Sequence, residues 1–140
     1  MNRSALAKAS NALVFILLLL QATIFLASAY ALAVIVRGAR NAHPADPLPG
    51  FFWWYLGTAC IFLVAAFAYL LSSMRIRQRF IVLAVISLGY GSWVSLTSFP
   101  ILLTWSGVLH GDFVALEAAS GAVFCAIGAA GILDWKIRRP

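Results

Sequence analysis

The sequence predicts an all-α integral membrane protein, and three observations predict it. The chain of 140 residues is 64 % hydrophobic and only 10 % charged, against about 25 % charged in ordinary soluble domains. Its mean hydropathy is +0.97. Its charges cluster between long uncharged runs: none lies between Asn11 and Val36, Phe51 and Met74, or Phe80 and Gly111, and Glu117 alone interrupts Phe113 to Leu133. A domain this small cannot hide so much apolar surface inside itself, so the excess faces lipid. A bilayer core of about 30 Å takes roughly 20 helical residues, and each run is long enough. Helices satisfy every backbone group internally in hydrocarbon. The short alternating segments of a membrane β-barrel do not occur.

The expected architecture is a single four-helix domain. It is an antiparallel bundle with short loops and approximate spans 11–36, 51–74, 80–105 and 113–134. The first span follows Arg3 and Lys8 and contains Ala27-Ser28-Ala29, which together imitate a cleaved leader. The apolar run continues past that site through Val34-Ile35-Val36, so the segment reads as a retained helix. Gln21 sits near its middle.

The first loop, Arg37 to Gly50, carries Pro44, Pro47 and Pro49, which forbid regular structure. The second helix opens on Phe51, Phe52, Trp53, Trp54 and Tyr55. Aromatics at a bilayer boundary form an interfacial anchor; with Trp105 they also offer a contact surface for a partner or for lipid. Farther on, this helix is bulky (Phe62, Leu63, Phe67, Leu70) and reads as the lipid-facing element. The short turn around Ser72 and Ser73 suggests a hairpin of the second and third helices.

The third helix carries Ser87, Gly91, Ser95 and Ser98 at helical spacing, a stripe that should face other helices. Pro100 removes one of its hydrogen bonds. Asp112 suits the N-cap of the last helix. That helix is built of small residues, Ala118 to Ala122 and Gly128 to Gly131 among them, so it should have close neighbours on several sides.

Orientation follows from Lys and Arg. Four spans place Arg3, Lys8, Arg75, Arg77, Arg79, Lys136, Arg138 and Arg139 on one side, and only Arg37 and Arg40 on the other. Both termini should therefore be cytoplasmic, which points to a bacterial inner membrane. The net charge of +6 then meets anionic lipid heads and does not imply nucleic-acid binding. Cys60 and Cys125 fall inside helices without paired spacing and read as free thiols packed as small apolar groups.

Chemistry-bearing residues are few. His43 and His110 fall in the two outer loops, near Asp46, Asp112 and Glu117. Imidazole with carboxylate can hold Zn or Cu, and paired imidazoles can hold haem or a pigment. The alternative is two solvated loop histidines, and no pair has the helical spacing of a metal site. Glu117 is the charge inside a span. It reads as a structural ion pair with Arg37 or Arg40, or else as a proton or substrate group. Gln21 should bond across to the serine stripe of the third helix, including Ser95 and Ser98, or line a path. No nucleophile elbow, phosphate loop or Walker lysine occurs, so catalysis by this chain alone is not expected.

Three function classes remain. The first is a non-catalytic accessory subunit of a larger membrane assembly, a bioenergetic one for example, with other membrane subunits or its own copies as partners. The second is a small homo-oligomeric transporter or channel lined by Gln21, Ser87, Ser95, Ser98, Pro100 and Glu117. The third is a subunit holding haem, pigment or metal through His43 and His110.

Overall fold

The computed structural model describes residues 3–39, 50–71, 74–104 and 111–138. All of them lie in four helices: α1 (Arg3–Ala39), α2 (Gly50–Leu71), α3 (Met74–Thr104) and α4 (Gly111–Arg138). Three, α1, α2 and α4, contain stretches long and apolar enough to cross a membrane: Arg3–Ile35, Phe52–Leu71 and Ala115–Arg138. In α3, the stretch Leu83–Leu96 is apolar but shorter.

Helices α1, α3 and α4 outrun the apolar runs that predict them, whereas α2 covers 50–71 of the expected 51–74 and Met74 already belongs to α3. Helix α1 begins at Arg3 and not near Asn11, α3 at Met74 and not Phe80, and α4 continues to Arg138. Loss of hydrophobicity marks where lipid ends, but only a helix breaker stops the backbone. Nothing from Arg3 to Val36 is Pro or Gly. Helix α3 likewise runs through Pro100 to Thr104. Helix α4 starts at Gly111, which places Asp112 in the first turn and not at the cap.

Packing follows side-chain size more than chain order. Helix α1 packs on α2 and on α4, and α3 packs on α4. Along α1, contacts with α4 run from Ser10–Asp134 through Gln21–Ser120 to Phe25–Phe124. From Ser10–Asp134 to Gln21–Ser120 the residue numbers rise on α1 and fall on α4, and Phe25 and Phe124 each lie about one turn farther along their own helix. The expected hairpin of α2 and α3 is not a packed seam, although only residues 72 and 73 separate them. A ring contact of Tyr69 with Phe80 at 5.2 Å bridges the two helices near that end.

The reason is the glycine face of α4. A Cβ built on Gly128 would lie 2.6 Å from Leu88 Cβ and 2.7 Å from the Ala84 carbonyl oxygen. One on Gly121 would lie 2.9 Å from Ser95 N, and one on Gly91 of α3 would lie 2.6 Å from Cys125 N. These helices touch backbone to backbone. Such closeness gains dispersion contacts that lipid cannot match. No glycine of α2 is so engaged: nothing comes within 4 Å of a Cβ on Gly57. Helix α2 instead exposes Ile61, Val64, Phe67 and Leu71, as a lipid-facing helix would. Between α2 and α3 runs a cleft, floored by α1 and α4.

Candidate functional site

Among the described residues, three places where polar side chains of different helices meet inside this apolar bundle stand out, each tied to α4. At the end shared by the start of α1 and the end of α4, Asp134 is 3 % exposed. Three donors converge on its carboxylate. Ser10 Oγ donates to Oδ1, Tyr69 O–H to Oδ2 at 2.6 Å, and Arg138 Nε to Oδ1 at 2.9 Å. Arg138 also donates from its terminal nitrogen to the Ala7 carbonyl at 3.0 Å. One carboxylate thus joins α1, α2 and α4. It is an anchor with its charge matched by a guanidinium one helical turn away.

Sequence reasoning missed this cluster. Asp134 stands at the limit of an apolar run, where an acid reads as interfacial. The signal that points to it is the Asp134/Arg138 spacing of four, which puts both groups on one face.

Midway along α1, Gln21 is fully buried, and its amide nitrogen donates to Ser120 Oγ at 2.6 Å. The expected partner was the stripe of the third helix; α4 supplies it, because α1 and α3 are not neighbours. Its Oε1 meets no donor among the described residues. The stripe itself does face inward: Ser87 Oγ donates to the Phe124 carbonyl at 3.0 Å, and half-buried Ser95 abuts Gly121.

The third place is the half of the cleft away from Asp134, termed the outer half, where Tyr55 O–H donates to Glu117 Oε1 at 2.5 Å. The expected ion pair with Arg37 is not formed. Arg37 is exposed, and the ion pair found among the described residues is Arg138–Asp134. Arg40 lies outside the described residues. Tyr55 belongs to the aromatic run that the sequence assigns to an interfacial anchor, and the structure divides that run. Trp53 and Trp54 are 61 % and 70 % exposed. Tyr55 turns inward, with its ring 5.9 Å from Phe25. From there rings continue across the bundle, Phe25 to Phe124 at 6.1 Å and Phe124 to Tyr90 at 5.1 Å. All four helices contribute to the cluster once Tyr55 and Phe62 of α2 are included.

These residues wall a cavity of about 370 Å³ bordered by Trp54, Tyr55, Thr58, Tyr90, Glu117 and Ser120. The inner half of the cleft is a second cavity, about 270 Å³, walled almost wholly by apolar groups such as Phe62, Ala65, Phe80 and Leu83.

His43, His110 and Trp105 lie outside the described residues, as do the side chains of Phe51 and Ser98. Among the described residues, no three His, Cys, Asp or Glu side chains converge as metal ligands. Cys60 is exposed, Cys125 is half-buried, and neither is bridged. Comparison with protein-family models, with characterised proteins and with solved structures returns no match.

Proposed function

We propose that the chain is a bacterial inner-membrane protein. It crosses the bilayer four times as an antiparallel bundle, with both termini cytoplasmic, and serves as a non-catalytic subunit of a larger membrane assembly. The Lys and Arg distribution supports the orientation. The glycine seam supports a spanning α3, since a helix locked backbone to backbone on α4 shares its depth in the bilayer.

The observation that carries the subunit reading is the inner cleft. Helices α2 and α3 leave an apolar trough lined from all four helices, and an apolar helix of a partner subunit completes such a bundle by dispersion contacts. Exposed Trp53 and Trp54 add rigid contact area at the other end of α2. The basic inner face meets anionic lipid heads.

Extraction in a mild detergent, followed by a native gel and mass spectrometry of the band, tests this reading. Larger partners should co-migrate, and Ala65→Trp, which fills the trough, should release them. A small oligomer of this chain alone would reject the subunit role. A visible absorption spectrum of the same band tests whether His43 and His110 hold haem or a pigment.

One observation favours the second reading, a small homo-oligomeric transporter: Glu117 stands on the wall of the outer cavity. In that case Glu117→Gln removes flux and leaves assembly intact.

A further inference from the structure

We propose that the outer cavity is a binding site for a hydrophobic organic cation, a quaternary ammonium or phosphonium group carrying apolar substituents. This goes beyond the subunit reading and does not depend on it, since it concerns the outer half of the cleft alone.

Three features of the cavity combine. First, its wall is aromatic on several sides, with Phe25 and Phe124 at the back, Tyr55 and Trp54 on α2, and Tyr90 on α3. Aromatic faces carry negative potential and attract cations, most of all where water is displaced. Second, Glu117 supplies the one formal charge on that wall, and no Lys, Arg or His is among the described residues lining it. A carboxylate has about four acceptor positions. The Tyr55 hydroxyl takes one of them and leaves the others for a ligand. Third, about 370 Å³ falls in the range of small-molecule sites, roughly 300–1,000 Å³.

The chemistry selects among cations. A bare metal ion or a primary ammonium keeps a tight hydration shell and needs several oxygen donors in exchange. Among the described residues its lining offers one carboxylate, Glu117, and only neutral hydroxyls beside it, those of Ser28, Tyr55, Thr58, Tyr90 and Ser120. A quaternary centre has no N–H to satisfy and spreads its charge over alkyl groups, so rings and one carboxylate suffice. Its apolar substituents can continue into the inner trough, which shares Tyr90 and Phe124 with the outer cavity. Two sources present this chemistry: a free lipophilic cation and the choline head of a phospholipid.

The test is calorimetric titration of the full chain in nanodiscs with benzyltrimethylammonium and, in parallel, with its uncharged carbon isostere neopentylbenzene. The proposal expects the cation to bind at least about tenfold more tightly than the isostere. Glu117→Gln keeps an acceptor for Tyr55 and should lower cation affinity about tenfold or more while leaving the isostere unchanged. Tyr90→Leu should weaken the cation as well. Gly57→Ala, outside the wall and in open space, should leave both unchanged and so controls for folding. Nanodiscs of phosphatidylglycerol and of phosphatidylcholine distinguish the sources. Competition by the choline lipid assigns the site to a headgroup, and its absence assigns it to a free cation. Equal affinity for cation and isostere, full cation binding by a folded Glu117→Gln, or no binding in either lipid would overturn the proposal.

Discussion

Removing the Asp134 carboxylate should damage this fold more than any other single polar change in it. The carboxylate accepts from Ser10, Tyr69 and Arg138, and its side chain is 4 % exposed, against 13 % for that of Arg138. A hydrogen bond to a charged group contributes roughly 1.5–3 kcal/mol net. Breaking a buried ion pair by deleting one partner costs about 3–5 kcal/mol, because the other charge stays desolvated. In Asp134→Ala the guanidinium keeps the Ala7 carbonyl and sits at a helix end, so the lower figure, about 3 kcal/mol, applies. At roughly 2–4 °C per kcal/mol for a chain of this size, the melting temperature should fall by roughly 6–12 °C. Intrinsic-fluorescence melting of the purified protein in detergent reads it. Tyr69→Phe deletes one donor and should cost about 1 kcal/mol. Replacing Asp134 and Arg138 together by Leu and Met should recover part of the loss, since no charge is then stranded. If Asp134→Ala melts within roughly 2 °C of the parent, the cluster does not hold α1, α2 and α4 together.

The close seam of α3 with α4 makes opposite predictions for two glycines. Gly128→Ala drives a Cβ to 2.6 Å from Leu88 Cβ and should destabilise by about 1–3 kcal/mol, while Gly57→Ala, in open space, should stabilise by about 0.5–1 kcal/mol; thermal melts of the pair check the sign. Gln21→Leu should be close to neutral, within about 1 kcal/mol, because it removes both a hydrogen bond and a buried acceptor that lacks a donor. Ser120→Ala, which leaves the buried amide of Gln21 without its acceptor, should cost about 1–3 kcal/mol in the same assay. Glu117→Gln should leave the melting temperature nearly unchanged, since Tyr55 keeps an acceptor.

Hydropathy made the helices legible because lipid demands long uncharged runs and permits little else. The serine stripe was legible too, since Ser87, Gly91 and Ser95 do face α4. Hydropathy is silent on which helix neighbours which. The two-residue connection after Leu71 fixes only where α3 starts. The glycines of α4 decide where it lies, so Gln21 meets Ser120 and not the stripe. The partner of Glu117 was misread for a related reason. Charge complementarity pointed to Arg37 or Arg40; Arg37 is exposed, and the donor found on Glu117 among the described residues is a phenol from an aromatic run that composition assigns wholly to the interface. Asp134 escaped notice because an acid at the limit of an apolar run looks solvated. Only the approach of Ser10 and Tyr69 from two other helices buries it.

The proposed topology is a four-span chain with both ends inside, and the apolar stretch of α3 is the shortest of the four. Side-specific thiol labelling in intact cells tests it most directly, in a background where Cys60 and Cys125 are serine. Ser4→Cys, Gln78→Cys and Pro140→Cys should be shielded from an impermeant maleimide until the membrane is opened, whereas Ala45→Cys and Gly107→Cys should react at once. Shielding of Gly107→Cys alongside Gln78→Cys would mean that α3 does not cross, and would contradict the account.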